Sequence, residues 1–185
     1  MNITRDQGNI QIHFEAPLIE INSHVLVCLP LSVSAQLPSR GLVMSKGTLN
    51  GVPFQSPLEP DGKKSHWFKV EKDMLKDAKA DVGDSVSIEM EPVKDFPEPI
   101  VPSDVQAALK DASEVRVVWD DITPLARWDW LRWIQGTKNP ETRTHRIEVM
   151  LSKIRNGKRN ACCFNRSECT DPEVSHRGML LEPAA

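Results

Sequence analysis

The sequence predicts an α+β protein: a small N-terminal antiparallel β-barrel with a C-terminal helical region packed on it. Three observations predict it. Short alternating segments separated by turn signals fill residues 9–92, a Pro-rich stretch at 93–102 breaks the chain, and helical periodicity with caps fills 103–159. A polar tail at 160–185 carries three of the four cysteines.

Residues 1–8 are polar and expected to fray. Ile10, Ile12 and Phe14 then alternate with polar residues, and the run VLVCL within 24–29 reads as a buried strand. Residues 41–49 lead to Asn50-Gly51, a strong hairpin signal, and on into 52–55. Asp61-Gly62 marks a turn before a strand at 66–70, and 71–79 fits a short helix. Val82-Gly83-Asp84 is a further turn, followed by alternation over 85–90. Short strands joined by close turns point to a small barrel or sandwich. Prolines at 92, 97, 99 and 102 exclude regular structure there.

Beyond the linker, Ser103-Asp104 is expected to cap a helix to about 112, while 113–121 fits either a strand or a short helix. Thr123-Pro124 and Asn139-Pro140 each pair a capping residue with a proline suited to the first helical position, and Asn156-Gly157 is a stop. In the first of these two helices Leu125, Trp128, Trp130, Leu131, Trp133 and Ile134 go nearly all the way round. Only Asp129 and Arg132 leave a polar strip, so the helix is covered on more than one side or lines a cleft. In the second, Ile147, Met150, Leu151 and Ile154 make an apolar stripe. Helical periodicity places Arg143 near its centre and Arg146 at its edge. A charge facing an apolar stripe needs a partner.

The 185 residues are 39% apolar and 26% charged, ordinary for a soluble globular protein. Residues 1–102 carry 10 Lys+Arg against 14 Asp+Glu (−4), and residues 103–185 carry 13 against 12 (+1), giving the net −3. That balance argues against a general nucleic-acid binder. No signal-peptide pattern or membrane-length apolar run is present, so a cytoplasmic protein with reduced thiols and no membrane partner is expected.

The stretches Leu29-Pro30, GTLNGVPF (47–54) and VGDSVSIEME (82–91) make residues 10–92 resemble a small bacterial β-barrel domain of unknown function. VPSDVQAAL (101–109) and WLRWIQGTKNPETRTHRIEVMLSKIRNGKR (130–159), with ACCFNRSEC (161–169), resemble the YdeI/OmpD-associated family, also called bacteriocin-protection. The resemblance implies an architecture and supplies no catalytic residue.

The residues offer three chemistries. Cys162, Cys163, Cys169 and His176 are enough for zinc, but they lack a C-x-x-C knuckle and adjacent cysteines fit one ion poorly, so no metal is expected. Cys162 or Cys163 as a nucleophile, beside Arg159 and Arg166 and with His176 or His145 as base, is the enzyme alternative. Cys28 reads as core. Gly41, Gly47 and Gly51 match no phosphate-loop or dinucleotide fingerprint, so no cofactor is expected. Lys153, Arg155, Lys158 and Arg159, with the Trp cluster, make a nucleic-acid alternative. The preferred reading is a cytosolic, non-catalytic binding module for a small or peptidic anionic ligand. Its site is placed at the start of the last helix, where free amides and the helix dipole favour an anion, with Lys138, Arg143 and Arg146 as cations and Trp130 and Trp133 as walls. The competing reading pairs Arg143 internally with Asp120, Asp121 or Asp129.

Overall fold

In the computed structural model residues 3–6, 9–161 and 170–183 are described. The chain divides into two compact units, Met1–Asp95 with Met179–Ala185, and Phe96–Gly178.

The first unit is a closed six-stranded antiparallel barrel. Its strands are β2 (Asn9–Ile21), β3 (His24–Cys28), β4 (Val43–Leu49), β5 (Val52–Pro60), β6 (His66–Val70) and β7 (Ser85–Pro92). They run in the order β2-β3-β6-β5-β4-β7, and β7 pairs back onto β2 to close the ring. Closure removes the sheet edges that an open antiparallel sheet would expose. Along β2, Ile12, Phe14, Ala16 and Leu18 are buried in strict alternation, the period-2 pattern written in the sequence. They meet Val27, Leu49, Leu58, Phe68, Val86 and Ile88 in one core, where Phe54 stacks on Phe68 at 5.1 Å. Asn50 and Gly51 both take positive φ, the conformation a two-residue hairpin needs, and set the β4–β5 register with Leu49 opposite Val52.

Two findings differ from expectation here. Ile3–Asp6 does not fray but forms β1, antiparallel to the first residues of β2. Polar composition predicted a loose end, yet the half of β2 that β3 does not reach offers free backbone partners. The helix α1 (Leu31–Ser34) has no sequence signal, whereas α2 (Lys72–Ala78) matches the helix expected there.

The second unit is helical: α3 (Ser103–Asp111), α4 (Ser113–Asp121), α5 (Pro124–Gln135) and α6 (Pro140–Arg155). Segment 113–121 settles as a helix because Val115 and Trp119, four apart, are buried while Val117 is 71% exposed. A strand would have put Val115, Val117 and Trp119 on one face. Thr123 accepts the Ala126 amide and Asn139 accepts the Thr142 amide, as their capping roles require. The expected Ser103-Asp104 cap is replaced by Pro102 at the helix entry, without a side-chain cap, and the Asp104 carboxylate is used elsewhere. Val105, Trp119, Trp130, Ile134, Met150 and Ile154 anchor the core of this unit. Two short strands follow, β8 (Ser175–His176) and β9 (Met179–Leu180). Among the described residues no helix is long and apolar enough to cross a membrane.

Candidate functional site

The expected anion site lies where α5 turns into α6, and the structure places each of its residues. Arg143 forms a two-pronged ion pair with Asp104 of α3, Nε to Oδ2 at 2.6 Å and Nη2 to Oδ1 at 3.0 Å. The guanidinium donating to Asp104 holds its carboxyl below the usual carboxylate range. Lys138 pairs with Glu173 at 3.0 Å. Arg146 is buried; its guanidinium lies over the Trp133 ring at 5.3 Å and donates to the Trp133 carbonyl. Trp130 is 1% exposed and meets Trp133 edge to face at 6.1 Å. Lys138 and Arg143 therefore already hold carboxylates of the chain itself, Arg146 is built into the packing, and one of the amides meant for a ligand is taken by Asn139.

Arg143 does pair internally, but with Asp104 rather than with Asp120, Asp121 or Asp129. Asp120 pairs with Arg116 and Asp121 with Arg159, while Asp129 lies 3.9 Å from Arg132. The burial order is reversed as well: Arg146, at the stripe's edge, is buried, whereas the Arg143 side chain stays 26% exposed. Helical angle ranks residues around an axis. It says nothing of height, and Arg143 sits in the first turn, where the neighbour it meets is Asp104 at the acidic first turn of α3.

Exposure also sets the size of the effect. Arg143→Ala is expected to cost about 0.5–1 kcal/mol, the range of a solvent-screened pair, because the Asp104 side chain is 43% exposed. Since the folded pKa of Asp104 lies below its unfolded value, the pair's contribution is present above the ordinary carboxylate range. It is lost as pH falls through the folded value. Denaturant midpoints of parent and variant should converge as Asp104 becomes protonated in acid; a gap that stays constant as the pH falls would contradict the pairing.

The basic excess of residues 127–159, nine Lys+Arg against three Asp+Glu, is answered from outside that window. Arg155 donates twice to Glu114 of α4, and Arg159 reaches the carboxylate and carbonyl of Asp121. Arg127, which no sequence pattern marks, is buried. It caps the end of α4 through the Trp119 and Asp120 carbonyls while pairing with Glu98 at 2.6 Å. The thiol candidates Cys162 and Cys163, with Cys169 and Arg166, lie outside the described residues. Of the two bases proposed for them, His145 and His176 are both exposed. Cys28 is half-buried, and burial with the nearby Asp61 and Glu182 carboxylates pushes its thiol up to about 11. It stays protonated, and poorly nucleophilic, at neutral pH.

A different cationic surface emerges on the barrel. The β5–β6 connection, Asp61-Gly62-Lys63-Lys64-Ser65, is held by Asp61 Oδ1, which accepts the Lys63 and Ser65 amides at 2.7 Å each. Gly62 and Lys64 take positive φ, turning the chain tightly. Arg40 reaches across from the segment before β4 and donates Nη1 to the Lys64 carbonyl at 3.1 Å. Together Arg40, Pro60, Gly62, Lys64 and Ser65 line a cavity of about 300 Å³. Among the described residues neither Arg40 nor Lys64 is paired with a carboxylate, while Lys63 pairs with Glu182. Two further barrel cavities, each about 400 Å³, are charge-matched: the groove at Gly47 contains the Lys46–Glu91 pair, and that at His24 mixes Lys69 and Lys72 with Glu71 and Asp73. In the sequence, this loop gave only a turn signal followed by two lysines.

Beneath the Arg40 cavity lies a buried polar chain. His66 is 1% exposed; its Nε2 meets the Gly41 carbonyl at 2.9 Å and its Nδ1 meets Ser34 Oγ at 2.8 Å. A carbonyl only accepts, so Nε2 carries the proton and the Ser34 hydroxyl donates to Nδ1. Burial pushes the His66 pKa down, partly offset by the Gly41 carbonyl and by Asp61, and Arg40 pushes it down further. Ser34 is fully buried, so this Ser–His contact is a structural tie with no route to a substrate.

The fold and these surfaces define a two-part protein: a small closed barrel with a cavity lined by Arg40 and Lys64, and a helical unit tied by internal ion pairs. Residues 14–90 match the Domain of unknown function (DUF1905), and residues 98–157 match the family described as Bacteriocin-protection, YdeI or OmpD-Associated. The chain thus joins a match to the DUF1905 domain over its barrel to a match to the YdeI/OmpD-associated family over its helices. No curated protein matches it.

Proposed function

We propose that the protein is a non-catalytic binding module for a small anionic ligand, acting in the cytoplasm, and that the ligand sits in the barrel cavity between Arg40 and Lys64. The observation that carries this reading is the imbalance of charge: Arg40 and Lys64, which have no carboxylate partner among the described residues, both line one cavity, while Arg143 and Lys138 of the helical unit hold the chain's own acids. A guanidinium forks onto two oxygens and an ammonium adds a point charge, a combination suited to phosphate, sulfate or carboxylate. The cavity is open to solvent, so the interaction is weak and salt-sensitive. A bare oxyanion is expected to bind with a dissociation constant on the order of 1 mM.

The check is a two-dimensional NMR titration with sodium sulfate at low ionic strength. Shifts confined to amides around 40–41 and 61–66, abolished in Arg40→Ala/Lys64→Ala, are expected. Shifts centred instead on 138–146 would move the site to the start of α6, and no saturable shift anywhere would overturn the reading. Binding to nucleic acid through α6 is disfavoured because Arg155 and Arg159 are engaged by Glu114 and Asp121.

A further inference from the structure

The cavity between Arg40 and Lys64 shares its hydrogen bonds with His66. The Lys64 carbonyl accepts Arg40 Nη1 at 3.1 Å, and the Ser34 hydroxyl lies 3.5 Å from the same carbonyl. Ser34 Oγ is also 2.8 Å from His66 Nδ1, and His66 Nε2 is 2.9 Å from the carbonyl of Gly41, the residue after Arg40. The continuous chain is therefore Gly41 carbonyl, His66 ring, Ser34 hydroxyl, Lys64 carbonyl, Arg40 guanidinium. Both cationic residues of the cavity lie on it: Arg40 through its side chain, Lys64 through its backbone.

This chain has two consistent settings. With neutral His66 the Ser34 hydroxyl donates to Nδ1. With a proton on Nδ1 the ring donates to Ser34 Oγ, and the hydroxyl is released to donate toward the Lys64 carbonyl. No group is left without a partner in either setting, so one proton is accommodated without opening the core. We infer that the cavity is a proton-coupled oxyanion site, in which occupancy by a phosphate-, sulfate- or carboxylate-type group and protonation of His66 favour one another. This rests on the binding reading above.

The charges that face His66 set the direction. Arg40, on the segment before β4, opposes a proton on the ring, and Asp61, at the head of the β5–β6 loop, favours it. An anion held by Arg40 neutralises the opposing charge while Asp61 stays in place, so occupancy raises the His66 pKa. By reciprocity, protonated His66 tightens the site by the same factor. The depressed pKa of the empty protein fits a relay that stays neutral until a ligand arrives.

The test uses the full-length protein and sulfate, which does not change charge between pH 5 and 8. The His66 ring is titrated by NMR without sulfate and at saturation, and sulfate affinity is measured at both ends of that range. The expected result is a rise in the His66 pKa of about half to one unit, matched by about three- to tenfold tighter binding at pH 5 than at pH 8. Ser34→Ala, which takes away the acceptor for a proton on Nδ1, should still bind sulfate but protonate His66 only at lower pH, so that the pH dependence of binding shifts toward acid. Sulfate that binds at the cavity with an unmoved His66 titration and flat affinity would overturn the coupling while leaving the binding reading intact. No binding at any pH would overturn both.

Discussion

Replacing Trp130 by alanine is expected to destabilise the helical unit by about 3–5 kcal/mol, the range for deleting a fully buried aromatic ring. Trp130 is 1% exposed in the core that α3 to α6 share. It also meets Trp133 edge to face, and Trp133 in turn carries the buried Arg146. Truncation would leave a cavity and loosen the platform on which a charge is held, so two costs act together. Among the described residues the buried indole Nε1 of Trp130 has no partner, a polar group that costs desolvation. Trp130→Phe removes that donor while keeping a ring, and should cost less than about 1.5 kcal/mol. Denaturant unfolding followed by tryptophan emission reads this unit, since Trp119, Trp128, Trp130 and Trp133 lie in it and only Trp67 lies in the barrel. An alanine variant with an unchanged midpoint would show that the core packs otherwise.

Substituting Gly47 should be as damaging to the barrel. A Cβ there would stand 1.9 Å from the Glu89 carbonyl oxygen and 2.7 Å from Met90 Cα, both backbone atoms of β7. No side chain can swing aside to relieve such contacts. Gly47 is paired with Met90 on one side and Phe54 on the other, so β4 cannot move from β7 without disturbing β5, and the ring is closed. Gly47→Ala is expected to cost about 1–3 kcal/mol, and Gly47→Val about 3 kcal/mol or more as a second methyl enters the same gap. Amide exchange along β4 and β7, with the far-ultraviolet circular dichroism midpoint, is the measurement. Native protection in Gly47→Val would disprove the close approach. Gly51→Ala makes a useful contrast: nothing lies within 4 Å, and only its φ of +83° is strained.

The sequence expectations fared according to how local their causes were. Thr123 and Asn139 cap as read because a side chain and the amide three residues on decide the matter between themselves. Ser103-Asp104 is not the cap because Pro102 occupies the N-cap position; the Asp104 carboxylate, inside the first turn, accepts the Val105 amide and pairs with Arg143, 39 residues away. The basic window at 127–159 suggested an anion-seeking surface. Its acids were simply elsewhere in the chain, at Asp104, Glu114 and Asp121. A charge count along a sequence is a count without partners.

The amino-acid sequence by itself determined the barrel-then-helices order, the hairpin at Asn50-Gly51, the alternating core face of β2 and the two Pro-led helices with their caps. Each follows from periodicity, φ preference or a hydrogen bond within a few residues, and these survive in any tertiary setting. The tertiary structure decided what long-range contact decides. It closed β7 onto β2 and gave β1 a partner. It made Gly47 indispensable through a carbonyl 42 residues away, and it buried Arg146 and Arg127 while leaving the Arg143 side chain partly exposed. It also brought Arg40, Lys64, Ser34 and His66 together from the segment before β4, the β5–β6 loop, α1 and β6. The energy of a polar group depends on which partner desolvates and pairs it, and that partner is fixed only when the chain folds back on itself.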